Sequence, residues 1–198
     1  ICLGVVGVVW VLWGYSLAFG TDVGGFVGDL GFFGLRNVGF DEVFPGTGIP
    51  HLLFMAFQMM FAVITPALVT GAFAGRMKFC SFIVFVVAWV TIVYAPLAHW
   101  VWGGGWMATE LQAADFAGGT VVHINAGIAA VAAALIIGKR RNTNSSAPHN
   151  VPFVVLGAAL LWFGWFGFNA GSALSSGGGA ANAFVTTNSA AAMAALTW

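Results

Sequence analysis

The sequence predicts an all-α, polytopic transmembrane helix bundle, and three observations predict it. Of its 198 residues 60% are hydrophobic and only 6% are charged, whereas soluble domains average about 25% charged residues. The mean hydropathy is +0.96. The six basic and six acidic side chains fall into four groups: Asp22, Asp29, Arg36, Asp41 and Glu42; Arg76 and Lys78; Glu110 and Asp115; and Lys139, Arg140 and Arg141. Long uncharged runs separate them. Such a chain cannot cover itself with polar surface, which excludes an ordinary soluble enzyme, a nucleic-acid binder and a disordered segment.

A bilayer core of about 30 Å takes about 20 apolar residues of helix, and the runs at 1–19, 50–75, 79–102 and 116–138 each supply one span. The first reads as a span rather than a signal-peptide core because Trp10, Trp13 and Tyr15 suit a helix nearing the interface. Residues 148–198 supply two more spans, at 151–172 and 180–198, parted by the turn-forming cluster Ser175, Ser176, Gly177, Gly178 and Gly179. Residues 20–49 are too long for a tight turn and are expected to form a structured loop. The whole chain reads as one transmembrane domain. It opens at Ile1 and closes at Trp198 inside apolar runs, and is read as a fragment.

Six spans put alternate loops on opposite sides. Five of the six basic residues then share one side with no acid, which predicts that 76–78 and 139–149 are cytoplasmic and that 20–49 and 103–115 are external. Cys2 and Cys80 lie on different apolar stretches without metal-ligand spacing.

Polar groups deep in a span are expensive and mark function. His123 lies eight residues beyond Asp115, about 12 Å deeper along a helix, near the bilayer middle. The small residues that follow it, Asn125 to Ala134, let helices approach closely, so the imidazole is expected inside a bundle and neutral. Phe168 and Ser172 share one helix face, as do Phe57 and Phe61, four apart. Trp102 closes its run just before Gly103, Gly104 and Gly105, at a depth matching Ser172. An aromatic face and a hydroxyl at the mouth, rings beneath and an imidazole below would suit a small cation that must shed charge or water.

Taken singly, these residues have plainer explanations. Trp102 fits an interfacial belt, the three phenylalanines fit packing, Ser172 could bond a carbonyl of the preceding turn, and Asp115 fits a helix N-cap. His51, at a helix end, and His149, in a loop, read as solvated; His99 stays open. A Ser172–His123 hydrolase is disfavoured, because about 10 Å of depth separates the two.

The stretches AHWVWGGGW (98–106), DFAGGTVVHINAGIAA (115–130), KRR with PHNVPF (139–153) and WFGWFGFNAGSAL (162–174) resemble the ammonium transporter family, in its Amt/Mep branch. The likeness runs in order along nearly the whole chain. It implies a fold of eleven helices built from inverted five-helix repeats, of which this chain runs from about the second helix to the seventh. It implies a multi-pass homotrimer of the plasma membrane that carries ammonium or ammonia, with methylammonium as analogue, and a P-II signalling protein as a cytoplasmic partner. No cofactor, metal or enzymatic activity is implied. Matched position by position, Trp102, Ser172 and Phe57 resemble the external recruitment site, Phe61 and Phe168 the stacked gate, His123 the first pore histidine, and Asp115 a buried acid supporting the site. A Rhesus-type gas channel and an ammonium sensor with a separate signalling domain are the alternatives; Trp102 argues against the first.

Overall fold

The computed structural model describes residues 1–140 and 149–198, so most of the 139–149 loop lies outside the described residues. Among the described residues six long helices follow one another. Helix α1 runs as Cys2–Val9, Trp10–Gly14 and Tyr15–Phe19. After it come the two-residue strands β1 (Asp22–Val23) and β2 (Val27–Gly28), then α2 (His51–Val69). Helix α3 runs as Phe79–Trp89, Val90–Tyr94 and Ala95–Trp102, and the short α4 is Trp106–Thr109. Helices α5 (Gly119–Ile137), α6 (Val151–Gly171) and α7 (Gly178–Thr197) complete the chain.

Among the described residues five helices are long and apolar enough to cross a membrane, where the sequence suggested six. The difference is α7, which carries Asn182, Thr186, Thr187, Asn188 and Ser189. Its threonines spend their hydroxyls on their own helix, Thr186 on Asn182 O and Thr187 on Ala183 O.

The chain divides into two compact units, Ile1–Phe44 with Pro50–Lys139 and Pro45–Ile49 with Arg140–Trp198. In the first, α1 packs on α2 and α3, and α2 packs on α5. Three of its helices widen into π turns, at Trp10–Gly14, Val90–Tyr94 and Gly119–Ile124. The first two meet: Trp13 Nε1 donates to Thr91 Oγ1 (2.9 Å), and the Trp10 and Tyr94 rings stand edge to face at 6.0 Å. The turn in α3 immediately precedes Pro96, whose ring would otherwise press on the carbonyl four residues back. Pro66 sits inside α2, and beside it the Thr65 hydroxyl donates to Phe61 O at 2.6 Å.

His51, read as solvated, is only 6% exposed. Its Nε2 pairs with the Tyr15 hydroxyl at 2.7 Å, and Phe32 and Phe44 stand against the ring. The reason is tertiary: the loop after β2 folds back over the start of α2, and Glu42 O accepts the His51 N–H (2.7 Å). His149 is exposed.

Hydrogen bonds gather the loops of this unit at two ends. The Arg76 guanidinium donates to Ala72 O and Gly138 O, tying the end of α2 to the end of α5. At the other end Trp106 N–H donates to Gly25 O (3.0 Å), joining 20–49 to 103–115. Together with the charge asymmetry this gives a labelling test. A cysteine replacing the 77%-exposed Phe40 is expected to react with an impermeant thiol reagent on intact cells, and one replacing Asn144 to stay protected. The opposite pattern reverses the topology.

Candidate functional site

Trp102 is positioned by the turn that ends α3. Gly103 and Gly105 both donate their N–H to His99 O, at 2.9 and 3.0 Å, and Gly104 takes a left-handed φ of 87°. A Cβ at Gly103 would collide with Ala18 O and His99 Nδ1, and one at Gly105 would lie 2.8 Å from Gly25 O. The glycine run lets α3 end against α1 and the 20–49 loop with no side chain between them.

The indole of Trp102 is half-buried, and its Nε1 donates to the backbone carbonyl of Asp115 at 2.8 Å. With its polar edge occupied, the ring has its faces for other contacts. Phe61 stands edge to face with it at 5.5 Å, and Phe57, one turn away on α2, meets Phe61 at 4.9 Å. Phe61 is 2% exposed, whereas Phe57 is half-buried. The three rings form one connected aromatic wall.

Asp115 anchors this wall and starts α5 at the same time. Its Oδ1 accepts the N–H groups of Gly118 (2.6 Å) and Gly119 (2.8 Å), and its Oδ2 those of Thr120 (2.8 Å) and Val121 (2.9 Å). A helix start leaves four such donors without partners, and one carboxylate takes them all, at the end where the helix dipole favours negative charge. The acid expected to be buried is half-buried. Gly118, at φ 89°, makes the turn that aims the carboxylate; a Cβ there would lie 2.7 Å from Val122.

His123 sits in the π turn of α5, with its N–H donating to Gly118 O at 3.0 Å. The sequence reading placed the imidazole inside a bundle; among the described residues His123 is exposed, on a face shared with Ile124, Gly127 and Ile128. The small residues do allow close approach, but on the opposite side, where Ala126, Ala129, Ala130 and Ala133 pack around Val69 and Phe73. Val121, Val122 and Asn125 are buried there, and Asn125 Nδ2 donates to Val121 O (3.1 Å).

Phe168 and Ser172 belong to the second unit. Both are half-buried on or just past the end of α6, where the Ser172 hydroxyl donates to Phe168 O at 2.8 Å and the Phe168 ring lies 4.9 Å from Trp165. Asn169 Nδ2 donates to Thr187 Oγ1 (2.8 Å) and pins α6 to α7. Beside that bond opens a cavity of about 440 Å³ lined by Trp162, Trp165 and alanines of both helices. Each of the two structural units thus carries part of the predicted constellation: Trp102, Phe57, Phe61, Asp115 and His123 in the first, Phe168 and Ser172 in the second.

Of two polar groups of the first unit, sequence reasoning passed over Gln58 and left His99 open. Gln58, next to Phe57, is buried and its Oε1 has no hydrogen-bond partner among the described residues. His99 is completely buried and meets Asp22 at 2.8 Å. The signal was present in the histidine one turn before Trp102, but its partner lies 77 residues away.

The family model described as Ammonium Transporter Family matches residues 1–198. The chain belongs to the ammonium transporter family. It is similar to the ammonium transporter of Bacillus subtilis, 52% identical over 196 residues that make up 99% of this chain and 48% of that protein. Its identity to the ammonium transporter of Aquifex aeolicus is 53% over 194 residues, 98% of this chain and 45% of that one. The chain therefore spans about half the length of the curated relatives it matches. Among solved structures, Mep2 of Candida albicans superposes with a TM-score of 0.78 at 40% identity, over 88% of this chain and 40% of that one. A structure described as Sensor Amt Protein gives a TM-score of 0.74 at 36% identity, over 89% and 45%. The fold of this family member is that of the Amt/Mep structures.

The four-donor cap predicts an ordered mutational series. Asp115→Ala leaves all four N–H groups without their acceptor and is expected to cost about 1–2 kcal/mol, the upper range for a cap, read as a lower unfolding temperature in detergent. Asp115→Asn, which keeps one acceptor oxygen, should fall between. Equal stability of all three proteins would show that the cap contributes nothing.

Proposed function

We propose that the chain is the substrate-recruiting part of an ammonium transporter, and that the observation carrying this is the wall of Trp102, Phe61 and Phe57 locked in place by the Asp115 carbonyl. Ammonium only donates hydrogen bonds. Its complement is an aromatic face within about 6 Å together with an oxygen that only accepts. Ser172 is such an oxygen, because its own proton is spent on Phe168 O. Trp102, Ser172 and Phe57 would form the recruitment site in the assembled protein, and Phe61 and Phe168 the gate beneath it.

Past the gate a bare charge would pay a large desolvation cost, so the ion gives up its proton and crosses as ammonia, while the proton follows a separate route in electrogenic members. The passage then needs few polar groups. A neutral imidazole donates from one nitrogen and accepts at the other, and His123, exposed on an otherwise apolar face of α5, is the group that would guide ammonia. Potassium has no proton to lose, which gives selectivity without a size filter. In this proposal the working protein is a homotrimer of the plasma membrane, and a P-II signalling protein would dock on the cytoplasmic face. The likeness to the Sensor Amt Protein structure favours one second reading, in which the same site serves ammonium sensing.

Transport assays on the complete protein in proteoliposomes test the proposal. Trp102→Leu should raise the ammonium concentration for half-maximal flux by about 2- to 30-fold, the worth of a cation–π contact of about 0.5–2 kcal/mol, with the maximal rate less affected. His123→Asp should admit potassium, since a carboxylate can hold a hydrated cation where a neutral ring excluded it. Unchanged selectivity in His123→Asp removes the histidine from the passage, and unchanged half-saturation in Trp102→Leu removes the recruitment site.

A further inference from the structure

Gln58 is a polar side chain that the surrounding core leaves unused. It is 7% exposed, its Oε1 is buried, and its carboxamide makes no hydrogen bond among the described residues. A buried amide without a partner forfeits the hydration it had in water and gains no bond in return. Such a group in a native fold calls for an explanation.

Its place on α2 supplies one. Gln58 follows Phe57 and stands three residues before Phe61, a spacing that puts the two Cβ atoms about 5–6 Å apart on neighbouring strips of the helix. Phe61 in turn meets Phe57 at 4.9 Å and Trp102 at 5.5 Å. The carboxamide therefore rises beside the aromatic wall. Its neighbours one turn away on α2, Phe54, Met55, Phe61 and Ala62, are all buried and carry no side-chain donor. Donors bonded to this stretch and to the wall are already committed to backbone carbonyls: Trp10 Nε1 to Met55 O (3.3 Å), Thr65 Oγ1 to Phe61 O (2.6 Å) and Trp102 Nε1 to Asp115 O (2.8 Å). The Tyr94 hydroxyl also has no partner among the described residues, but Tyr94 lies eight residues before Trp102 on α3, about 12 Å away along the helix.

An acceptor beside aromatic rings, with no donor of the protein's own, suits a donor that arrives from outside. We propose that Gln58 is an ammonium-binding residue, its Oε1 accepting one N–H of an ion held against the Trp102 and Phe57 rings. This deepens the recruitment reading given above and rests on it. Because neither end of the carboxamide is held, a half-turn about its last torsion exchanges oxygen and nitrogen and brings Oε1 to the side the ion occupies. An aromatic face attracts small cations of many kinds, whereas an amide oxygen adds a directional bond, strengthened by the charge on its donor. The cost of the unpaired amide falls on the free protein, and the bound ion removes it.

The test compares Gln58→Met, Gln58→Glu and Trp102→Leu in the complete protein, reading ammonium half-saturation and maximal rate in proteoliposomes and the unfolding temperature in detergent. Methionine keeps the length of the side chain and removes its amide. Gln58→Met should raise half-saturation by about tenfold, the worth of a hydrogen bond to a charged group, with the maximal rate less affected. Its unfolding temperature should stay level or rise, because an unpaired buried group is gone. Gln58→Glu keeps an acceptor oxygen at the same reach, so half-saturation should remain at or below the wild-type value. Unchanged half-saturation in Gln58→Met overturns the proposal. So does a rise that Gln58→Glu shares while both proteins unfold at lower temperature, for the amide then serves packing alone. If Trp102→Leu raises half-saturation and Gln58→Met does not, Gln58 falls and the recruitment reading stands; if neither raises it, that reading falls as well.

Discussion

Lipid offers no hydrogen-bond partner, so each backbone or side-chain polar group inside a span must be paired by the protein itself. Much of the local detail in this chain answers that demand. Thr65, Thr91, Thr187 and Ser172 return their hydroxyl protons to carbonyls one turn back. Asp115 takes the four N–H groups that open α5, and the Arg76 guanidinium takes carbonyls where α2 and α5 end. Much of the pairing that in a soluble protein would be shared with water is here supplied by side chains at helix ends and bends, with Gln58 Oε1 an exception among the described residues.

The same demand shapes the mouth. Trp102 gives its N–H to Asp115 O, and the acid whose carbonyl receives it also caps the helix bearing His123. Trp102 and the helix bearing His123 are thereby joined through one residue. The glycine turn behind Trp102 belongs to this economy of space, because α3 meets the Ala18 and Gly25 carbonyls there with no room for a Cβ. A rigid indole with its polar edge occupied leaves its π face as what it can offer a cation.

Several readings were legible because they depend on composition and short spacing. A sequence with 6% charged residues gathered into four groups has few ways to meet water, and helices over the apolar runs follow. Phe57 and Phe61, four apart, had to share a face. Asp115 three residues before the left-handed Gly118 is a local cap, and Ser172 four residues after Phe168 is a local back-bond; both were available as plain explanations, and both bonds are present. The burial of His51 and the exposure of His123 among the described residues were not legible. The first depends on a loop crossing over the start of α2, and His123 lies in the π turn that opens α5.

By itself the sequence determined the membrane as solvent, the order of the helices, the family and the residues of the aromatic wall, because hydropathy, helical periodicity and long motifs are carried by neighbours along the chain. Only the tertiary structure decided that Trp102 hangs from the Asp115 carbonyl, that His51 is buried against Tyr15, and that His99 meets Asp22. Those bonds join residues 13, 36 and 77 positions apart. Whether a polar side chain meets water, lipid or a partner at that separation is settled by how helices pack and where a π turn adds a residue. No local pattern encodes that distance.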